Sequence, residues 1–289
     1  MTQLEMFYQK YPLKKQLLSD NKEFQYRYYK NPAGKGTIVL LTGGIGLSDL
    51  FYLHFERFAQ EFSVLTFDYQ IQYENNAQFA DAVSELLKIL NEKVWLVGQS
   101  LGGIVAQIIA KRHPEVVEGL VLSNTCSLAK DMGQEAYQHL EKMIQSQKKS
   151  RKLLSIIPFS LYKKLIKWAV MKKKTANFTE KEKALMEGLC DAMLKLLTKS
   201  YEFHMIDFLV DAENHFGMVP EDFAEWKGKV LLILSEDDLT FNQACKNSLI
   251  NIMSEPVVVT NITGGHLALL VKLEKYAETV TDFILKKTE

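Results

Sequence analysis

The sequence predicts an α/β fold: a mostly parallel central sheet, helices on both faces, and a helical insertion. Three observations carry this. Short continuous runs of Val, Ile and Leu alternate with amphipathic helical patterns through residue 125. The same rhythm resumes at Val230, and the block 126–229 between the two reads as helical only. Parallel strands buried on both faces have to be apolar throughout, whereas half-exposed strands alternate. The purely helical block therefore reads as an insertion into one core, 1–125 plus 230–289, and not as a second domain in series. A length of 289 residues suits one large domain carrying such an insertion.

The elements follow in order. Leu4 to Lys10 suits a short helix. Lys15 to Leu18 and Glu23 to Tyr29 suit a strand pair, joined by the turn residues Ser19-Asp20-Asn21. Asn31-Pro32-Ala33-Gly34 is a further turn. Thr37 to Leu41 is a buried strand leading into Thr42-Gly43-Gly44-Ile45-Gly46. Asp49 is placed to cap a helix reaching Gln60, with Leu50, Leu53 and Phe58 on one face. Ser63 to Phe67 is a strand ending at Asp68. Asn76 to Leu90 is an amphipathic helix, with Phe79, Val83, Leu86, Leu87 and Leu90 at helical spacing. Val94 to Val97 is a strand, Gly103 to Arg112 a helix stopped by Pro114, and Leu120 to Ser123 a strand. In the insertion, Thr179-Glu180-Lys181-Glu182 is a capping box opening a helix to Thr198. Val230 to Leu234 and Pro256 to Thr260 are strands around a helix from Asn242 to Ile252. Leu270 to Leu285 closes the chain as one helix facing the core through Leu273, Tyr276, Val280, Phe283 and Ile284.

Composition excludes several function classes. Apolar residues make up 47%, enough for a full core, so disorder is disfavoured. The 35 basic residues balance 35 acidic ones, which argues against a globally nucleic-acid-binding protein. Cys126, Cys190 and Cys245 are scattered and form no CxxC pair, so neither a zinc ribbon nor a disulfide framework is expected. A reducing, cytoplasmic setting fits, and Met1-Thr2-Gln3-Leu4-Glu5 lacks the basic start of a signal peptide. The longest uncharged stretch, Val94 to Ala110, carries Gly98, Gln99, Ser100, Gly102 and Gly103 in its middle. It reads as strand, turn and helix, not as a membrane span.

That stretch carries the chemistry. Gly98-Gln99-Ser100-Leu101-Gly102-Gly103 follows a strand and opens a helix, the context in which a GxSxG pattern becomes specific. So sharp a turn strains the serine backbone and lifts its hydroxyl above the sheet edge. Gly98 and Gly102 leave room where side chains would collide, and the Leu101 N–H at the helix start points toward a developing oxyanion. A competing dinucleotide reading of Gly44-Ile45-Gly46 with Asp68 lacks the third glycine. Asp49 stands there instead and would repel a pyrophosphate.

On these residues, from Lys15 to Leu285, the chain resembles the α/β-hydrolase superfamily. The resemblance rests on the leading antiparallel strands, the GxSxG elbow, and the segment from His113 to Leu122; the helical insertion resembles the family's cap. The resemblance implies an α/β-hydrolase fold and a Ser-acid-His order along the chain. After the strand Val230 to Leu234 comes Ser235-Glu236-Asp237-Asp238, where the family's Gly-x-x-Asp pattern puts the acid at Asp238. Asp237 is the rival, and Ser235 departs from the usual glycine. The alternative acid position after the earlier strand holds Ser123-Asn124-Thr125, with no carboxylate. The base falls on His266 in Thr263-Gly264-Gly265-His266, whose two glycines let the loop lift the imidazole. His54, His113, His139, His204 and His215 suit packing or surface roles better. The second oxyanion donor falls on the N–H of Gly44, although Thr42 stands where the family has a histidine. No metal or organic cofactor is implied.

The expected activity is cleavage of a small or medium carboxylic ester with an apolar group, through an acyl-enzyme. Thioester and carbon–carbon cleavage remain open on the same fold. Another class also stays open. The segment Thr66-Phe67-Asp68-Tyr69-Gln70, and Leu122 to Ser127, are locally similar to maspardin, a hydrolase-fold protein regarded as a binding adaptor, although this chain keeps a histidine where that pattern lacks one. Finally, Lys142 to Lys174 holds eleven basic residues and no Asp or Glu, interleaved with Leu153, Ile156, Leu161, Leu165 and Trp168 among others. This is either a lid over an apolar cleft, with solvated lysines, or a segment that touches an anionic membrane transiently. Seven of the ten methionines lie in the insertion (Met132, Met143, Met171, Met186, Met193, Met205 and Met218) and suit core filling or a permissive apolar pocket.

Overall fold

A computed structural model describes residues 2–175 and 178–288; Ala176 and Asn177, inside the expected insertion, lie outside the described residues, as do the side chains of Lys173, Lys174 and Thr288. Helix α1 (Gln3–Lys10) is opened by a capping box between Thr2 and Glu5. Strands β1 (Lys14–Leu17) and β2 (Glu23–Tyr29) form the expected antiparallel pair. Then come β3 (Thr37–Leu41), α2 (Tyr52–Phe58), β4 (Ser63–Thr66), α3 (Asn76–Ile89), β5 (Val94–Gln99), α4 (Leu101–Arg112) and β6 (Val117–Ser123). Helices α5 (Gln134–Ile156), α6 (Phe159–Ala169), α7 (Glu180–Leu196) and α8 (Lys199–Asp211) intervene before β7 (Val230–Ile233). The chain ends with α9 (Gln243–Ile252), β8 (Val257–Val259), α10 (Ala268–Val271) and α11 (Leu273–Thr288). Together the strands make one eight-stranded sheet in the order β1-β2-β4-β3-β5-β6-β7-β8. It is parallel from β4 through β8 and antiparallel only at β1 and β2.

Strand periodicity explains why this sheet is covered twice. Successive side chains point to opposite faces. Val39 and Leu41 of β3 and Leu96 of β5 join the cluster under α3 and α4, while Ile38, Leu40, Trp95 and Val97 join the cluster under α2 and α11. Every residue of β3 and β5 is buried, so the central strands have no polar face to show. Gly119 of β6 is required by packing: a Cβ there would lie 2.2 Å from the Trp95 ring. The two ends of the segment between β6 and β7 are stitched together by a bridge between Ala129 and Met218.

Two elements differ from expectation. Asp49 does not cap a helix. It lies inside a 3-10 turn, Ser48–Phe51, because its carboxylate accepts from the Tyr8 hydroxyl at 2.5 Å and so ties the turn to α1. The expected single closing helix is split at Lys272 into α10 and α11. There the Leu269 carbonyl accepts from the buried ring of His54 at 3.2 Å, and the Lys272 ammonium pairs with Glu182 on α7. Leu273 is accordingly only half-buried, whereas Tyr276, Val280, Phe283 and Ile284 face the core.

Candidate active site

Ser100 stands between β5 and α4 with φ 55° and ψ −118°, a left-handed conformation that non-glycine residues rarely adopt. The strain is held from several sides. The Ser100 N–H donates to the Ser123 carbonyl at 3.0 Å, and the Thr125 hydroxyl donates to the Ser100 carbonyl at 2.6 Å. The flanking glycines are required by close approach. A Cβ on Gly98 would lie 2.3 Å from the Gly102 carbonyl oxygen, and one on Gly102 would lie 2.1 Å from that of Leu41. The turn can therefore close only without those side chains.

His266 Nε2 lies 3.0 Å from Ser100 Oγ, and His266 Nδ1 lies 2.9 Å from Asp238 Oδ2. The carboxylate receives the Nδ1–H, which leaves Nε2 free to accept from the serine hydroxyl. Asp238 is buried at the exit of β7, and burial alone would raise its pKa. The hydrogen bond and charge of His266, with the Thr240 N–H, outweigh that and hold it below the ordinary carboxylate value. Asp237 points elsewhere and accepts from the Gly264 N–H at 3.0 Å. Gly264 and Gly265 have φ of 134° and 64°, so the loop presenting the imidazole needs the backbone freedom of glycine.

Leu101 is the first residue of α4, and Gly44 lies across from it in the loop after β3; both border the space around Ser100. That loop is braced without the histidine expected at position 42. The Tyr69 hydroxyl donates to the Thr42 carbonyl at 2.7 Å, and the Tyr69 N–H to the Gly46 carbonyl at 3.0 Å. Asp68 accepts from the Ser48 N–H at 2.7 Å and from its hydroxyl at 2.6 Å.

Three further residues gain positions that no motif foretold. The Gln99 amide nitrogen is 3.3 Å from His266 Nε2 and donates to the His266 carbonyl at 3.2 Å, which ties the elbow to the imidazole loop. Asn124, at φ 40°, accepts from the Ser235 N–H and donates to the Ser235 hydroxyl and the Gly265 carbonyl, linking the acid loop to the histidine loop. The buried ammonium of Lys246 donates to the Ser235 carbonyl at 2.7 Å. The polar amide beside the nucleophile and the asparagine after β6 were the only visible signals. A lysine three residues into a helix carries none.

Apolar cavities flank Ser100. One of about 170 Å³ is walled by Leu50, Ile166, Val170, Met186, Met193 and Leu270. A second of about 70 Å³ is walled by Leu140, Met143, Ile144, Leu209, Phe216 and Phe241. Of the expected pocket methionines, Met143, Met186 and Met193 do face these spaces, whereas Met205 packs behind Gly46. His54 is fully buried away from the serine, and His204 lies against the Tyr69 carbonyl. His139 reaches the Thr240 carbonyl, and His113 and His215 pair with Asp81 and Asp211. Among the described residues, no group of His, Cys, Asp and Glu could hold a metal ion.

Comparison with known proteins agrees with this architecture. A family model described as the alpha/beta hydrolase fold matches residues 36–145. The chain is 32% identical over 102 residues to RutD of Agrobacterium fabrum, which bears the name of a carbamate hydrolase. That match covers 32% of this chain and 39% of RutD, so the chain spans well under two thirds of that relative's length. Among solved structures, MenH from S. aureus superposes with a TM-score of 0.72 at 19% identity, covering 91% of this chain and 99% of that one. The enol-lactonase from Burkholderia xenovorans superposes with a TM-score of 0.67 at 18% identity, covering 94% and 100%. At those identities the structural likeness establishes the fold.

Proposed function

We propose, from the premise that this chain is an α/β hydrolase by fold, that it is a serine hydrolase acting on carboxylic esters with apolar groups. The observation that carries the reading is the aligned set Ser100 Oγ, His266 and Asp238, linked at 3.0 and 2.9 Å. In this mechanism Ser100 Oγ attacks the ester carbonyl while His266 Nε2 takes its proton. Asp238 keeps the imidazole in the Nδ1–H tautomer and stabilises the imidazolium. The N–H groups of Leu101 and Gly44 receive the oxyanion as it forms. His266 then protonates the departing alcohol, leaving an acyl-serine. Water adds with His266 again as base, the acid departs, and Ser100 regains its proton.

Substrate class is supported by the cavities. Their position on either side of the nucleophile suits an acyl chain on one side and an alcohol group on the other, and both have apolar walls. The names of RutD and of the enol-lactonase, a carbamate and a lactone hydrolase, concern the same kind of heteroatom-bearing carbonyl. The imidazole within reach of Ser100 favours an enzyme over a hydrolase-fold adaptor that only binds. The test is labelling with a fluorescent phosphonate, with rates across a nitrophenyl ester series of rising acyl length. Wild type should label, and Ser100→Ala should not, with kcat falling about 10⁴-fold or more. Labelling that persists in Ser100→Ala, or no labelling of wild type at neutral pH, overturns the reading. Labelling with a flat, near-zero ester series would shift the substrate to a thioester or a carbon–carbon bond next to a ketone.

A further inference from the structure

We propose that the outward face of the α5–α6 corner is a docking surface for anionic lipid bilayers. The bilayer docking stands on that surface alone. Its consequence, delivery of lipid-borne esters to Ser100, rests on the function proposed above.

The surface is built by helical spacing. On α6, Leu161, Lys164, Leu165 and Trp168 recur at i, i+3, i+4 and i+7 and form one exposed stripe, and Lys172, exposed in the wider turn that follows, lies against Trp168 at its end. On α5, Lys149, Lys152, Leu153 and Ile156 do the same, and the stripes meet at the Ile157–Pro158 link. Ile156 is 80% exposed and Trp168 53%, although both are large and apolar. The opposite sides of these helices are already occupied. Leu154 and Tyr162 pack with Ile206 of α8, and Ile166 with Val170 walls the cavity beside Ser100.

Charge sorts the same way. Several bases of these helices are paired, Lys148 with Glu213, Arg151 with Asp207, and Lys167 with Glu187 and Asp191, while Lys163 donates to the Leu194 carbonyl at 2.6 Å. Lys142, Lys149, Lys152 and Lys164 have no carboxylate partner among the described residues, and Lys172 lies 5.1 Å over the Trp168 ring. From Lys142 to Lys174 no acid offsets them. Uncompensated lysines set among exposed Leu, Ile and Trp match a surface that is negative outside and apolar just beneath. Lysine stems can lie along the apolar layer while their ammonium groups meet lipid phosphates. Among the described residues no helix is long and apolar enough to cross a membrane.

The molecule carries its own reporter, because Trp95 and Trp226 are each 1% exposed while Trp168 is on the stripe. The full chain would be titrated with vesicles of phosphatidylcholine alone and of phosphatidylcholine mixed with phosphatidylglycerol. Mixed vesicles should sediment the protein and shift Trp168 emission to the blue, phosphatidylcholine alone should do neither, and salt should weaken the effect. Ile156→Asp with Leu165→Asp should abolish binding while leaving phosphonate labelling of Ser100 intact. Lys149→Gln, Lys152→Gln and Lys164→Gln together should weaken it roughly a hundredfold, at about fivefold per lysine. Ser100→Ala should bind vesicles like wild type; if it does while wild type hydrolyses no ester, the proposed reaction fails and the docking surface stands. The inference is overturned if anionic vesicles leave wild type in solution, if sedimentation occurs without a Trp168 shift, or if the variants bind as well as wild type. Loss of a dimer in the aspartate variant, with no vesicle binding by wild type, would assign the face to self-association instead.

Discussion

At the scale of single residues, the acid loop shows how neighbours with identical side chains come to do different work. Asp237 and Asp238 differ by one position, yet one accepts from the Gly264 N–H and the other from His266 Nδ1. Asp238→Asn would replace an acceptor by an amide and favour the wrong imidazole tautomer, so kcat should fall about 10⁴-fold with folding little changed. Asp237→Asn keeps an oxygen for Gly264 and should cost under tenfold, since only a charge-assisted bond to the loop is weakened. Steady-state ester kinetics on the two variants checks this; equal losses would mean that the acid role is shared or misassigned. Before folding, the order Ser, acid, His and the resemblance to a Gly-x-x-Asp pattern favour Asp238 and leave Asp237 as its rival; the turn at Ser235 sets the two carboxylates apart by rotating Asp238 toward His266 and Asp237 toward the Gly264 N–H.

At the scale of elements, the loop after β3 is held from the end of β4 by Tyr69 and Asp68. Position 42 holds threonine, and the structure replaces a side-chain brace within the loop by one from the neighbouring strand. Tyr69→Phe removes the donor to the Thr42 carbonyl and leaves a buried acceptor unpaired, at a cost of about 1–3 kcal/mol. The loop that carries Gly44 should loosen with it. We expect kcat to fall while KM for a short ester changes little, because an oxyanion donor acts mainly in the transition state. Unchanged kcat in a destabilised Tyr69→Phe protein would reduce the brace to a purely structural one. Sequence periodicity located both strands, but it does not tell which tyrosine of a strand end reaches back across the sheet.

At the scale of the whole molecule, His54 connects parts of the chain that lie 215 residues apart. Its Nε2–H donates to the Leu269 carbonyl, while Nδ1 has no partner in the core. Burial pushes its pKa down from 6.5 to about 4, so the folded protein holds the ring neutral. An unfolded chain would take up a proton below pH 6.5, so this contribution to stability is present above that pH. It is lost as pH falls toward 4, with a full size of about 3 kcal/mol. Asp238, whose pKa is also depressed, works in the same direction at lower pH. Melting temperature should therefore decline between pH 7 and pH 4, and His54→Gln should flatten the upper part of that decline. An identical slope in the variant would show that His54 titrates normally. By sequence alone His54 suits a packing or surface role; its full burial follows from α10 and α11 closing over its place on α2, through Leu269 and Tyr276, which local patterns do not encode.

What the residues determined by themselves was local: the alternation of apolar strands and amphipathic helices, the glycines without which the turn at Ser100 cannot close, and the glycine pair that lets the His266 loop lift. These follow from steric limits and hydrophobic periodicity within a few residues, so they are legible without coordinates. Tertiary structure decided where the rival Asp237 turns, how Gln99, Asn124 and Lys246 lock three loops together, and why the closing helix breaks at Lys272. It also decided which lysines of the helical segment find carboxylates and which stay uncompensated beside exposed apolar side chains. Each of these joins atoms far apart in the chain, and such pairings are fixed only when the sheet and its covering helices bring them into contact.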